Sequence, residues 1–446
     1  MANLATITLA AGKGTRMKSS LPKVLHQVAG NSMVQHVVDT ASRLEPLHNL
    51  VIVGYKAEQV KAETGGEIQF VKQEQQLGTG HAVMQAKDDL ADFAGVVLVL
   101  YGDTPLLTSE TLQQLIKKHK TEEAAATILT TKVDDPTGYG RIIRDQSDYV
   151  TKIVEEKDAT VEEAKINEIN TGICCFESEL LWDALAKLDT DNAQGEYYLT
   201  DVPEILVAQG YSVGALSISD TQQTIGVNTR KHLAEAEQIL RQRICNYHLE
   251  NGVTIIDPAN TYIGDEVKIG QDSIIYPFAF LEGKTEVGSE VVIGPQTRIN
   301  DSIIGNQVEI NSSTIIGSQV GDRSKVGPYA YLRPGTKLAS EVKVGDFVEV
   351  KKSEIAKGTK VPHLSYIGDA LIGQNTNIGA GTITANYDGQ QKYRTVIGDD
   401  VFIGSDSTLV APLRIGDRAI TGAGPVVTKD VEADDLVLGV PAEPKE

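Results

Sequence analysis

The chain of 446 residues is too long for a single compact core and suits two domains, each able to bury its own interior. Its 41 basic and 61 acidic residues give a formal charge of −20, which argues against nucleic acid as a partner, since phosphate backbones bind basic surfaces. The three cysteines, Cys174, Cys175 and Cys245, are odd in number and lack a C-x-x-C spacing, so neither a disulfide framework nor a zinc site is expected. The N-terminal apolar run is too short for a signal, and no apolar stretch approaches a membrane span in length. We therefore expect a soluble protein of the reducing cytoplasm.

The first predicted strand, residues 5–9, leads directly into the glycine-rich sequence AAGKGTRMKSSLPK, residues 10–23. A strand, a glycine-rich loop and a helix are how α/β proteins build anion sites, because the loop exposes backbone N–H groups to phosphate oxygens. The loop is neither a Walker A sequence nor a complete dinucleotide fingerprint. The first 38 residues contain no Asp or Glu but do contain four cations, Lys13, Arg16, Lys18 and Lys23. A solvated turn with chance charges is the simpler alternative, but this composition favours a cradle for a nucleotide triphosphate.

Further strands and helices are predicted to alternate through the first half of the chain. The loop QEQQLGTGHA, residues 73–82, leads into a helix, and the strand over residues 96–100 ends in Tyr101-Gly102-Asp103. Ligands of open α/β sheets lie at the carboxyl ends of strands, which would put Asp103 near a metal-bound phosphate. The alternative is that Asp103 caps a helix starting at Thr104-Pro105. Taken with the basic N-terminal loop, the ligand role is favoured.

Residues 229–250 are predicted to form one linker helix, because Leu233, Ala236, Leu240 and Ile244 are spaced to form an apolar stripe. It divides a domain of residues 1–228 from one of residues 251–446. Cys245 and His248 at its end are interpreted as structural, since nothing nearby supplies partners for a metal.

In the second half an aliphatic residue recurs at every sixth position from Ile263 to Ile299, often followed by Gly. A period of six requires a short strand plus a turn, which predicts a parallel β-helix. The phase slips and resumes at Ile304, Ile310 and Ile316, and again from Val320 onward. The rhythm is interrupted around residues 351–366 and by TANYDGQQKYR, residues 384–394, a predicted extruded loop of the kind that carries function. A lone His in a solenoid is usually a surface or corner residue, but His363 lies at an interruption, which favours a catalytic role.

The order of LAAGKGTRM with Pro22-Lys23, QLGTGHA, YGD, GYGR, INTG and the hexad region closely resembles a known bifunctional family. It is the N-acetylglucosamine-1-phosphate uridyltransferase and glucosamine-1-phosphate acetyltransferase family of bacterial cell-wall precursor synthesis. The resemblance implies an α/β Rossmann-like nucleotidyltransferase domain followed by a hexapeptide-repeat left-handed parallel β-helix. It also implies a homotrimer that uses UTP, acetyl-CoA and Mg²⁺ and has acetyltransferase sites between subunits.

For the first domain the resemblance implies catalytic cations at Arg16 and Lys23 and Mg²⁺ ligands at Asp103 and Asn228. The implied nucleotide and sugar contacts are Leu9, Ala10, Ala11, Gly12, Lys23, Gln73, Gly78, Thr79, Tyr101, Gly102, Asp103, Gly140, Glu155, Asn170 and Asn228. A carboxylate and an amide oxygen suit Mg²⁺ better than zinc.

For the second domain the resemblance implies that His363 is a general base, a role that suits an imidazole near neutral pH. Substrate contacts are implied at Arg333, Lys351, Tyr366, Asn377, Asn386 and Tyr387, and acetyl-CoA contacts at Ala380, Ser405 and Ala423. Gly439 stands where many relatives have an Arg, and no basic tail follows before Glu446, so acetyl-CoA binding is expected to depart from the family pattern.

Two other functions compete with this interpretation. One is a monofunctional sugar nucleotidyltransferase whose β-helix only assembles or regulates it. His363, Asn386-Tyr387 and the extruded loop argue against it, because a purely structural solenoid does not need them. The other is a catalytically silent scaffold, which would leave the acid-free N-terminus, Asp103 and Asn228 as coincidences.

Overall fold

The computed structural model describes residues 3–439. The chain divides into two compact units, residues 1–240 and residues 241–446. Helix Arg230–Glu250 contains the point of division, and the predicted linker covered residues 229–250. None of the helices within residues 3–439 is both long and apolar enough to cross a membrane.

The first unit is built on a nine-stranded sheet, and a separate short pair, β2 and β3, lies outside it. The strands are β1 Leu4–Ala10, β2 Gln27–Val28, β3 Asn31–Ser32, β4 His48–Val53, β5 Gln69–Lys72, β6 Val96–Tyr101, β7 Ala126–Lys132, β8 Arg141–Arg144, β9 Val150–Val154, β10 Glu168–Glu177 and β11 Val213–Ile218. The main order in the sheet is β11-β7-β10-β6-β1-β4-β5, and β8 and β9 lie off this path. Strand β1 is wholly buried and pairs in parallel with β4 and β6. The carboxyl ends of these three strands therefore meet at one edge of the sheet, where the sequence predicted the nucleotide.

The α-helices are α1 Met33–Ser42, α2 Ala57–Glu63, α3 Thr79–Met84, α4 Ser109–Thr121, α5 Ser178–Leu185, α6 Val202–Ala208 and α7 Arg230–Glu250. The expectation of a helix directly after the glycine-rich loop is wrong. The loop instead forms 3₁₀ turns Thr15–Met17 and Lys23–Leu25, and α1 begins only at Met33. Left-handed backbone at Gly14 and Lys18, and then Pro22, interrupt any continuous helix.

The second unit is a three-sided parallel solenoid, consistent with the predicted left-handed β-helix. The first sheet contains Thr254–Ile255, Ile274–Ile275, Val292–Ile293, Glu309–Ile310, Lys325–Val326, Lys343–Asp346, Lys360–His363, Asn377–Ile378, Phe402–Ile403, Ile420–Thr421 and Leu436–Val437. The second contains Tyr262–Ile263, Phe280–Glu282, Arg298–Asn300, Thr314–Ile316, Tyr331–Leu332, Glu349–Lys351, Tyr366–Gly368, Ile383–Ala385, Thr408–Val410 and Val426–Val427. The third contains Lys268–Ile269, Glu286–Val287, Ile303–Ile304, Gln319–Val320, Lys337–Leu338, Glu354–Ile355, Ala370–Ile372, Thr395–Ile397 and Leu413–Ile415.

The aliphatic residues of the hexads point into the solenoid, as the period of six predicted. Ile275, Leu281, Ile293 and Ile299 are fully buried. The predicted phase is wrong at Ile316, which is half-buried, whereas Ile315 is buried. The slip occurs one residue earlier than expected, because Arg298 pairs with Thr314, 16 positions on.

Glycines at one corner of the later coils allow successive backbones to approach closely. A Cβ added to Gly404 would lie 2.0 Å from the carbonyl oxygen of Gly422, and one added to Gly379 would lie 2.5 Å from the carbonyl carbon of Gly404. Any side chain at these positions must push one coil away from the next.

We expect Gly404→Ala to lower the free energy of unfolding of the second unit by on the order of 1–3 kcal/mol, since the added methyl group overlaps backbone that cannot rotate away. Thermal and denaturant unfolding of the full chain would measure the loss. The control is Lys268→Ala, which removes an exposed ion pair with Glu286 and should change stability by less than about 1 kcal/mol. Equal stability of Gly404→Ala and the wild type would contradict the close approach.

Candidate active sites

A cavity of about 510 Å³ opens at the carboxyl ends of β1 and β6, where the glycine-rich loop was expected to bind a nucleotide. Its lining includes most of the predicted nucleotide contacts: Leu9, Ala10, Ala11, Gly12, Lys23, Gln73, Gly78, Thr79, Tyr101 and Asp103. Lys13, Val24, Gln76, Ala82 and Glu196 complete it. The polypeptide positions 9–12 and 73–79 are thus brought together from two separate βα connections.

Two side-chain oxygen atoms, one from Asp103 and one from Asn228, contact the Lys23 ammonium at this cavity. Lys23 Nζ contacts Asp103 Oδ2 and donates to Asn228 Oδ1 at 3.0 Å. Arg16 Nη2 donates to the same amide oxygen at 2.9 Å. Asp103 is not a helix cap, since α4 begins at Ser109 and its cap is Thr108. The structure therefore brings together Arg16, Lys23, Asp103 and Asn228, as the resemblance implied.

Gly14 aligns the Lys23 side chain. Its φ is +62°, in the left-handed region, and an added Cβ would lie 2.3 Å from the Cβ of Lys23. The loop can fold over Lys23 only with glycine at this position.

Buried polar contacts hold the far wall of the cavity. Gln73 is buried, and its Nε2 donates to the Gly78 carbonyl at 3.2 Å and lies 3.0 Å from His81 Nδ1. The hydroxyl of Thr79 accepts from the Leu199 N–H at 3.1 Å. The Gly102 N–H donates to the Leu9 carbonyl at 3.0 Å, which ties the ends of β6 and β1 together.

Tyr101 lines this cavity and is also close to Gly140, Glu155 and Asn170, which the resemblance implies contact the sugar. Burial raises the pKa of Tyr101, and the nearby charge of Glu155 raises it further. The phenol also forms a hydrogen bond with Thr79. Asn170 N donates to the Gly140 carbonyl at 2.8 Å, and a Cβ at Gly140 would lie 3.6 Å from Glu155 Oε1. Burial raises the pKa of Glu155 as well. Gly140, Glu155 and Asn170 therefore form one group of polar and backbone atoms close to Tyr101.

In the second unit a single corner aligns five residues on successive coils, Asp346, His363, Ala380, Ser405 and Ala423, which we call the corner column. The backbone carbonyl of each of the first four members accepts a hydrogen bond from the N–H of the residue that directly follows the next member in sequence. The links are Leu364 N to Asp346 O (2.9 Å), Gly381 N to His363 O (3.4 Å), Asp406 N to Ala380 O (2.7 Å) and Gly424 N to Ser405 O (2.8 Å). The predicted base thus shares one line with all three predicted acetyl-CoA contacts. Gly439 continues the line, since a Cβ there would lie 3.3 Å from the Ala423 carbonyl oxygen. Residues 440–446, where the family's basic tail was found to be missing, lie outside the described residues.

The second sheet places the predicted sugar-phosphate contacts on adjacent coils. Arg333 Nη1 donates to Glu349 Oε1 at 2.8 Å, and Glu349 pairs in register with Tyr366. The Tyr366 hydroxyl and the Asn386 amide nitrogen would lie 2.5 and 2.8 Å from a Cβ at Gly368. These four side chains therefore line one strip of the sheet.

Beside that strip lies a second cluster that joins the sheet to the extruded loop. Lys351 Nζ is 3.5 Å from Asp369 Oδ2, which also accepts from the amide of Asn386. The neighbouring ammonium of Lys351 lowers the pKa of Lys392. Two ammonium groups against one carboxylate leave a local positive charge suited to a phosphate.

The remaining predicted contacts lie close to these clusters in sequence and register. Asn377 is on the coil after His363 and pairs with Lys360. Tyr387 is exposed in the extruded loop and forms an isolated bridge with Lys392. No described contact joins either side chain to the His363 imidazole.

Sequence reasoning missed several members of these sites: Gln76, Glu196, Asp346, Glu349, Asp369 and Lys392. The length of one coil could have predicted three of them, because each residue of the solenoid lies next to the residue one coil, or about 17 positions, earlier in the chain. Asp346 precedes His363 by 17 positions, Glu349 follows Arg333 by 16, and Asp369 precedes Asn386 by 17.

The residues present fit a magnesium ion in the first unit. Asp103 and Asn228 offer one anionic and one amide oxygen, and both already contact one cation, the Lys23 ammonium. Within residues 3–439 no group of three or more His, Cys, Asp or Glu side chains could hold a metal ion alone. Such a pair of oxygens matches the usual Mg²⁺ site, which takes its other ligands from phosphates and water.

The sheet topology and the cavity at its edge place this chain in the nucleotidyltransferase class, here with an attached β-helix. The family model described as nucleotidyl transferase matches residues 5–241, and the model of the GMPPB C-terminal domain matches residues 250–348 and 318–419. The chain belongs to the family of bifunctional GlmU proteins. It is 52% identical to the bifunctional protein GlmU of Geobacillus thermodenitrificans, over 97% of this chain and 94% of that protein. The bifunctional protein GlmU of Listeria welshimeri is 51% identical, over 96% and 94%.

A solved UDP-glucose pyrophosphorylase in complex with UDP-glucose also aligns, with a TM-score of 0.46 and 16% identity. It covers 55% of this chain and 100% of the pyrophosphorylase chain. At this score the likeness supports no inference about function.

Proposed function

We propose that this chain catalyses two successive steps of UDP-N-acetylglucosamine synthesis. The first is acetyl transfer from acetyl-CoA to glucosamine 1-phosphate, and the second is uridyl transfer from UTP to N-acetylglucosamine 1-phosphate. The observation that carries the proposal is that one chain contains two separate polar constellations, the Lys23, Asp103 and Asn228 cluster and the corner column. We assign uridyl transfer to residues 1–228, the linker to residues 229–250 and acetyl transfer to residues 251–446.

Uridyl transfer is a phosphoryl-type substitution in which positioning and charge stabilisation matter most. An oxygen of the sugar phosphate attacks the α-phosphorus of UTP, a new P–O bond forms, and pyrophosphate leaves. Arg16 and Lys23 stabilise the negative charge that develops, while Gln73 and Thr79 hold the nucleotide and Gly140, Glu155 and Asn170 hold the sugar. Asp103 and Asn228 would hold Mg²⁺. When bound, Mg²⁺ supplies positive charge to the triphosphate.

Acetyl transfer requires the substrate amine as the free base, and the excess proton must leave as the C–N bond forms. His363 is half-exposed and able to accept that proton. Arg333, Lys351 and Lys392 hold the sugar phosphate, and Tyr366, Asn377, Asn386 and Tyr387 position the sugar. The thioester lies along Ala380, Ser405 and Ala423. Because Gly439 adds no cation there, the coenzyme A phosphates rely on other groups.

The working form proposed is a homotrimer in the cytoplasm. Tyr329 and Phe347 stack at 5.4 Å, and both are more than half exposed, as is Leu364. Phe347 and Leu364 directly follow Asp346 and His363, so an apolar interface there would put the base at a subunit boundary. The three cysteines are free and buried, in keeping with a reducing compartment. Light scattering at several concentrations would test the trimer.

Two single variants test the proposal by separating the activities. Asp103→Ala should reduce uridyl transfer by on the order of 10²-fold or more and leave acetyl transfer unchanged. His363→Ala should do the converse, with a loss on the order of 10²- to 10⁴-fold in acetyl transfer. Pyrophosphate release measures the first activity and free thiol the second. A folded variant that loses both activities would refute their separation, and an unchanged thiol rate in His363→Ala would remove that residue from the mechanism.

Lys392→Ala tests the second cation of the phosphate cluster. We expect the KM for glucosamine 1-phosphate to rise on the order of 10-fold, because a charge-assisted contact to phosphate is lost, with a smaller change in kcat. Steady-state thiol release would measure both constants. Lys325→Ala is the control, since Lys325 pairs with Glu309 at 2.9 Å on the solenoid surface. Equal KM values for Lys392→Ala and the control would contradict the assignment.

A further inference from the structure

The imidazole of His363 is held by a carboxylate from the preceding coil. Nδ1 of His363 lies 2.5 Å from Oδ1 of Asp346. This hydrogen bond lowers the pKa of Asp346, so its carboxyl group is an anion at neutral pH. Both side chains are accessible, with 54% of His363 and 37% of Asp346 exposed, so the other face of the imidazole is open to a substrate.

The backbone places Asp346 and His363 next to each other on adjacent coils. Asp346 and His363 are register partners on strands Lys343–Asp346 and Lys360–His363. Next to them the two coils approach unusually closely, since a Cβ added to Gly345 would lie 1.8 Å from the Pro362 carbonyl oxygen. Glycine at 345 therefore permits the approach that sets the two side chains at hydrogen-bond distance.

Hydrogen bonds also hold the main chain around His363 in place. Its carbonyl accepts from the Ser365 hydroxyl at 2.8 Å, and the Leu364 N–H donates to the Asp346 carbonyl at 2.9 Å. With the backbone fixed on both coils, the orientation of the imidazole ring depends mainly on its contact with Asp346.

We propose that Asp346 is a positioning residue for acetyl transfer, which keeps the proton of neutral His363 on Nδ1 and leaves Nε2 as the acceptor for the substrate amine. This inference rests on the proposed acetyltransferase function. A carboxylate accepts only, so Nδ1 must donate, and a neutral imidazole with Nδ1–H has its lone pair on Nε2.

The step balances without any other reactant. The amine nitrogen of glucosamine 1-phosphate attacks the thioester carbonyl, a C–N bond forms and the C–S bond breaks. The proton lost by the nitrogen goes to Nε2 of His363, and the imidazolium, paired with Asp346, then gives it to the departing thiolate. The products are N-acetylglucosamine 1-phosphate and coenzyme A.

The charged groups on the strands that flank His363 in its sheet are few. The preceding strand carries Asp346 and Lys343, the latter also acting on the Asp346 carboxylate. Its own strand carries Lys360, and the following strand carries the neutral Asn377. Asp346 is thus the anion in direct contact with the ring.

The activity test uses the full chain with Asp346→Asn, Asp346→Glu and the control Glu286→Gln, which removes a carboxylate from an exposed pair with Lys268 at 2.7 Å. Asp346→Asn should lower kcat for thiol release on the order of 10-fold or more, with KM for both substrates unchanged. Asp346→Glu should recover part of the rate, and Glu286→Gln should match the wild type. A wild-type rate in Asp346→Asn would overturn the proposal, as would a loss confined to KM.

A second measurement does not depend on activity. The chain has eight histidines, so ¹⁵N-histidine labelling with His363→Ala for assignment can report which ring nitrogen carries the proton. We expect the Nδ1–H form in the wild type and a mixture or the Nε2–H form in Asp346→Asn. The Nε2–H form in the wild type would overturn the inference even in an active enzyme. If the wild type releases no thiol, the acetyltransferase assignment fails, and the tautomer still decides whether Asp346 orients His363.

Discussion

The second unit depends on backbone hydrogen bonding between coils that stack in register. Each strand of two to four residues is bonded to the strand one coil away, so most residues lie against another 16 to 18 positions distant. Across the extruded loop the spacing is 25 positions. Glycines at the corner let the coils approach within van der Waals distance, and the inward aliphatic residues fill the space between the three sheets. This one constraint gives the corner column, the pairing of Arg333 with Glu349 and the contact of Asp346 with His363.

The first unit reaches a similar result by different means. Parallel pairing of β1 with β4 and β6 collects the loops that follow them at one edge, where the Lys23 ammonium meets Asp103 and Asn228. In both units a cation is held by an acid, as in Lys23 with Asp103 and Lys351 with Asp369. A chain with a net charge of −20 must bind anionic substrates through such local clusters. In the proposed function the acids orient the cations, and the spare ammonium or guanidinium groups bind the phosphates.

Much of this could be predicted from the sequence, because the signals were periodic or compositional. The hexads indicated the solenoid, and the acid-free N-terminus indicated the anion site. The predictions of an inward-pointing Ile316 and of a helix directly after the glycine-rich loop were wrong. Both features depend on single residues at corners and turns, which a repeating hydrophobic pattern does not reveal. Asp346, Glu349 and Lys392 were missed because each acquires its role only from a neighbour one coil away or from a loop folded back. The domain limits and the role of each site residue stay predictions.

In the proposed function, one chain joins two transfers through a shared intermediate. A time course with glucosamine 1-phosphate, acetyl-CoA, UTP and Mg²⁺ would follow free thiol and pyrophosphate together. We expect thiol to appear first, pyrophosphate to follow after a lag in equal final amount, and omission of acetyl-CoA to abolish both. Thiol without pyrophosphate, or pyrophosphate formed from glucosamine 1-phosphate without acetyl-CoA, would contradict the coupling of the two transfers.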